Sequence, residues 1–82
     1  MKTEIDWTRI NNDVNGNPRY VCHFLHFIHQ SESGPGSYEV AIKRANKIGG
    51  RKFHNKQYGG GIVFQSYSLE ETEGAINKLM AE

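Results

Sequence analysis

The chain has 82 residues and a formal net charge of +1, with 37% hydrophobic and 23% charged residues, the balance of one globular domain rather than a disordered segment. A domain of this size buries only about 60% of the surface its unfolded chain exposes, so little material is left for a deep, water-excluding active site. No apolar run approaches the ~20 residues that span a membrane, the N-terminus lacks the apolar stretch of a signal peptide, and the single Cys22 has no internal disulfide partner; these features predict a cytoplasmic protein.

In chain order, residues 4–10 read as a strand. Ile5 and Trp7 share one face of it and Asp6 and Thr8 the other. The stretch 11–18 is dense in turn formers, and Asn15-Gly16 suits a hairpin. Pro18 gives up a backbone donor, so it belongs in the loop or at the opening of the next strand. Residues 19–29 are rich in aromatic and aliphatic side chains and read as a second strand. Its alternation sends Cys22, Phe24, His26 and Ile28 one way and Val21, His23, Leu25 and Phe27 the other. Apolar groups on both faces predict a central strand. Residues 31–36 form a surface loop.

Ser37 is a candidate cap for a following helix. Tyr38, Ala41, Ile42, Ala45 and Ile48 then recur at helical spacing, and Gly49-Gly50 end the segment. Residues 51–57 are polar and extended-looking around Phe53. Tyr58-Gly59-Gly60-Gly61 reads as a turn or bulge ahead of a strand over 62–67. Ser68-Leu69-Glu70-Glu71 is a capping box that opens a last helix, with Leu69, Thr72, Ile76, Leu79 and Met80 as its buried stripe. The predicted fold is a two-layer α+β domain in which two helices cover one face of an antiparallel sheet of three to four strands. Its order is ββαββα, or ββαβα if 51–57 is not a regular strand.

Charge is segregated along the chain. Six cations, Lys43, Arg44, Lys47, Arg51, Lys52 and Lys56, fall between positions 43 and 56 with no acid among them, while the remaining positions carry four cations against nine acids. Phe53, His54 and Tyr58 lie within the same stretch or directly after it. Long cations next to glycines and aromatics suit an acidic protein surface or a nucleic acid: cations neutralise phosphate, and rings stack on unpaired bases. The candidate binding set is therefore Lys43, Arg44, Lys47, Arg51, Lys52, Phe53, His54, Lys56 and Tyr58. The plainer alternative is a solvated helix face followed by an edge strand guarded by lysines.

Other constellations carry less. The triple glycine is not a phosphate loop, because the Lys-Ser/Thr ending is absent and a strand follows. His23, His26 and His29 recur every third residue, but on a strand His26 points away from the other two, so no metal site is expected. Cys22 reads as a small apolar core residue. Catalytic residue types occur singly, without a nucleophile, base and orienting group in any motif. A small nuclease using His54 with Arg51 or Lys52 lacks a second acid–base group. No enzyme activity and no cofactor are expected.

Residues 12–20 (Asn-Asp-Val-Asn-Gly-Asn-Pro-Arg-Tyr) together with 59–67 (Gly-Gly-Gly-Ile-Val-Phe-Gln-Ser-Tyr) resemble small accessory proteins carried by phages and plasmids of enteric bacteria. The likeness covers most of the chain and supplies no catalytic motif. It implies a stoichiometric blocking role, such as inhibition of a CRISPR effector or a restriction enzyme in the host cytoplasm. The expected function is thus a non-catalytic binding module acting through residues 43–58. The alternative is a small RNA- or DNA-binding regulator.

Overall fold

The computed structural model describes residues 4–57, 59–65 and 68–81. Four strands, β1 (Trp7–Ile10), β2 (Arg19–His23), β3 (Arg51–Asn55) and β4 (Gly59–Phe64), form one sheet in the order β1-β2-β4-β3, antiparallel throughout. Helices α1 (Ser37–Asn46) and α2 (Leu69–Met80) complete the ββαββα order. Residues 51–55 are therefore a regular strand, at the sheet edge. β2 is central, as its two apolar faces predict.

The register sorts side chains by face. Trp7, Cys22, Ile62 and Lys52 stand in one row across the four strands, and Thr8, Val21, Val63 and Arg51 in the next. Directly opposed residues share a face and successive ones alternate, so the two rows project to opposite sides. The first side carries the core. Ile5, Cys22, Phe27, Ile28, Ala41, Ala45, Ile62, Phe64 and Ile76 form one buried cluster, with Trp7, Ile42, Ile48, Leu79 and Met80 packed against it. Both helices contribute to that cluster, so both lie on this face. The ring of Trp7 meets Phe64 edge-on at 5.9 Å, and its indole N–H donates to Glu73 of α2 at 2.7 Å.

Three local expectations are corrected. β2 stops at His23 instead of running to 29, and Phe24–Phe27 make a 3-10 turn. The His23 ring nitrogen accepts the Leu25 backbone N–H at 3.2 Å, which closes that turn and ends the strand. Phe27 consequently enters the core, 0% exposed, instead of facing away from Cys22. Ser37 is the first residue of α1 rather than its cap; Gly36, at φ 85°, holds the capping position. The glycines at 59–61 belong to β4 itself. A side chain at Gly61 would come within 2.8 Å of the Cys22 carbonyl oxygen, and one at Gly60 within 3.2 Å of the Tyr38 ring. Glycine is needed at 61, where the Cys22 backbone occupies the space, and at 60 it leaves room for the Tyr38 ring.

Ser68 does cap α2, its hydroxyl accepting the Glu71 N–H at 3.2 Å. Thr72 and Ile76 are buried beneath that helix. The hairpin loop 11–18 is organised by Asp13, whose carboxylate accepts the backbone N–H groups of Asn15 at 2.9 Å and Asn17 at 2.8 Å. At its apex Val14 is fully exposed.

Candidate functional site

The pleat of β3 divides the basic segment. Arg51, Phe53 and Asn55 project to the face away from the helices, and Lys52 and His54 to the helix side. Lys43 lies in α1 and Lys47 at its C-cap, one turn apart and both exposed. Arg51, Lys52, His54 and Lys56 are exposed, and Phe53 is half-buried. Tyr58 lies outside the described residues.

Arg44, Arg51 and Lys52 make contacts within the fold, Arg51 donating to the neighbouring Gly50 carbonyl at 3.2 Å. Arg44 is half-buried; its guanidinium donates to the Phe27 carbonyl at 2.9 Å and to the Glu32 carboxylate at 2.8 Å. That charge is neutralised inside the fold and holds the loop before α1. The Arg44 hydrogen bond also pulls the Glu32 carboxyl below its ordinary range. Lys52 places its ammonium 5.9 Å from the centre of the Tyr38 ring. The Tyr38 hydroxyl donates to the Phe53 carbonyl at 2.8 Å, which ties edge strand β3 to α1.

Residues 43–56 therefore do not form one continuous basic face. One part is the outer side of α1 and the β3 margin beside it. The other is the sheet face opposite the helices, where Arg51 and Phe53 stand with Thr8, Ile10, Arg19, Val21 and Val63. Among the described residues, Arg44 alone of the six cations has a carboxylate within ion-pair distance.

That second face holds a feature that sequence reasoning missed. An open cleft of about 690 Å³ is lined by Arg9, Ile10, Asn11, Asn12, Arg19, Phe53, Asn55 and Gln57. It joins the loop end of the β1–β2 hairpin to the tip end of β3. These are diagonal corners of the sheet, and strand twist lifts diagonal corners toward the same side. Arg9 lies over the Tyr20 ring at 5.4 Å and bonds Ile10 and Asn12, and Arg19 donates from Nε to the Asn11 carbonyl at 2.8 Å. The hairpin at 11–18 was legible, so the gathering of Arg9 and Arg19 around it was also within reach. The approach of β3 was not.

The remaining candidates are placed as follows. Cys22 is 1% exposed, and burial pushes its thiol up to about 12. His23 stacks on Phe24 at 4.8 Å, and His26 is half-buried with its pKa lowered by desolvation. Among the described residues no group of three or more His, Cys, Asp or Glu side chains is placed to hold a metal ion. Among them, too, no helix is long and apolar enough to cross a membrane.

The family model described as "Staphylococcus phage terminal repeat-encoded protein TreK" matches residues 1–82, the whole chain. Its host is Staphylococcus, where the sequence resemblance pointed to enteric bacteria. No curated protein matches the chain. No solved structure matches it either.

Proposed function

The chain belongs to the family of the Staphylococcus phage terminal repeat-encoded protein TreK, and from that premise we propose that this small phage-encoded protein works by binding and not by catalysis. It occupies an acidic surface of a host macromolecule in the cytoplasm and blocks it. The finer form of this reading is inhibition of a host defence complex of the CRISPR or restriction type, either its protein or its nucleoprotein form.

One observation carries the reading. Lys43, Lys47, Arg51, Lys52 and Lys56 are all exposed, and none has a carboxylate within ion-pair distance among the described residues. Cations left unpaired steer an acidic partner and add little to folding. In this reading the contact is the α1 side and the β3 margin, and Arg44 is left out of it because Glu32 neutralises its charge. Lys43 and Lys47 on α1 and Lys52 and His54 on the helix side of β3 make up this part, with Lys56 directly after the strand and Arg51 around the pleat.

The test is capture of the host partner by the wild-type protein and by a variant carrying Arg51→Glu, Lys52→Glu and Lys56→Glu. The reading requires the variant to lose the partner while its thermal midpoint stays within a few degrees, because exposed charges contribute only about 0–1 kcal/mol each to folding. A variant that keeps the partner sinks the proposed surface. Salt titration separates the rival, a small RNA- or DNA-binding regulator: polyanion binding weakens about 10³–10⁵-fold between 50 and 200 mM salt when six to ten phosphates are contacted, and a packed protein interface loses far less. Intact RNA and DNA after incubation with excess protein and divalent metal exclude the nuclease alternative.

A further inference from the structure

We propose that the cleft on the sheet face opposite the helices is a separate binding site for a short single strand of nucleic acid. This does not rest on the basic α1 side, and different side chains carry it. Among the described residues, two guanidiniums, Arg9 and Arg19, border the cleft with four side-chain amides, Asn11, Asn12, Asn55 and Gln57, one aromatic ring, Phe53, and no acid.

Each group has a matching part in a nucleotide. Guanidiniums bind phosphate oxygens in a planar fork, amides pair with base edges, and an aromatic ring offers a stacking face. Phe53 is half-buried on this face and stands in register with Gly61, which contributes no side chain beside it. An unstacked base can lie flat on such a surface.

The arginines are already oriented. Arg19 is pinned through Nε to Asn11, and Arg9 is held over Tyr20, so less side-chain entropy is lost when a phosphate binds. The carboxylate of the neighbouring loop, Asp13, is engaged by the amides of Asn15, Asn17 and Gln65. An acidic peptide would use the two arginines but leave the ring and most of the amides without a role, so the amide-rich lining favours a nucleic acid strand.

The experiment is fluorescence anisotropy with labelled twelve-nucleotide oligo-dT and oligo-rU at low salt. The two probes distinguish DNA from RNA as the source, and saturable binding of either supports the site. Phe53→Leu keeps the apolar volume and loses the ring face, and we expect it to weaken binding by about 5- to 100-fold, the worth of one stacked base, with an unchanged thermal midpoint. Arg19→Gln should lower the salt dependence by about one phosphate contact. Reversal of Lys43 and Lys47 to Glu on α1, which packs against the other face of the sheet, should change affinity less than about twofold. The site is overturned if neither probe saturates at about 100 μM, well beyond specific affinities. It is equally overturned if the α1 reversal weakens binding as much as Phe53→Leu, or if an oligoglutamate displaces the probes at equal charge. Failure of these tests leaves the α1-side contact standing, and loss of that contact leaves the cleft standing.

Discussion

Burial decides the chemistry of Cys22. At 1% exposure the thiolate has no water to stabilise it, and the thiol is pushed up to about 12. Ellman's reagent at pH 8 should therefore label the folded protein no faster than the chain unfolds and label it at once in denaturant; prompt labelling of the native protein contradicts the buried placement. Acid stability follows from other single residues. Asp13 and Glu32 both have pKa values below their ordinary 3.8 and 4.5, held down chiefly by the Asn17 backbone N–H and by Arg44 respectively. Folded values lower than unfolded ones mean stability is fully present above about pH 4.5 and is lost as pH falls through the folded values. His26 acts earlier: its folded pKa lies below 6.5 because burial disfavours the charged ring, so stability also declines as pH drops through 6.5. Thermal midpoints measured from pH 7.5 to 2.5 should show both limbs. Asp13→Asn should flatten the lower one and His26→Gln the upper one. Arg44→Ala should cost about 1–2 kcal/mol by leaving the Phe27 carbonyl without its charged donor, as read by urea denaturation.

At the scale of elements, the glycine run in β4 shows how packing sets a sequence. Glycines weaken a strand on intrinsic preference, and for that reason the run reads as a turn from sequence alone. The sheet needs them because Cys22 of β2 and Tyr38 of α1 come close at positions 61 and 60. Gly61→Ala should therefore destabilise by about 1–3 kcal/mol through overpacking, whereas a true turn would tolerate alanine wherever φ is negative. The opposite lesson comes from α2. Its Ser68 cap and the Thr72–Ile76 stripe follow from local pattern, and Ser68→Ala should cost about 1 kcal/mol. β2 lies between these cases. Its aromatic composition continues past His23, but a ring nitrogen of His23 captures the Leu25 N–H and turns the chain, a local competition that alternation does not reveal.

For the molecule as a whole, a small domain has one core and two outer sides, and this fold uses them differently. Helices cover one side of the sheet, and the opposite side keeps the cleft with Arg19 and Phe53, which Arg9 borders from the β1 edge. The core has little reserve: a chain of this length is stable by roughly 4–12 kcal/mol. Phe64→Ala, at 4% exposure and in ring contact with Trp7 and Phe27, should cost about 3–5 kcal/mol and bring the thermal midpoint down sharply. Surface charge reversals should leave that midpoint nearly untouched. The contrast between the two kinds of variant, measured by calorimetry, separates structural from binding residues across the whole chain.

The amino-acid sequence by itself determined the α+β class, an order of ββαββα or ββαβα, both helices with their buried stripes, the hairpin at 11–18 and the central position of β2. These depend on periodicity, turn chemistry and caps, all of which act between residues close along the chain. The tertiary structure decided the rest. Pairing of β3 with β4 in one register sends Arg51 and Lys52 to opposite sides, so a continuous run of cations in sequence becomes two surfaces in space. A carboxylate twelve residues away neutralises Arg44. The twist of four strands brings Arg19 and Phe53 to one cleft. Each of these outcomes depends on contacts between distant parts of the chain, and such contacts have no signature in local sequence pattern.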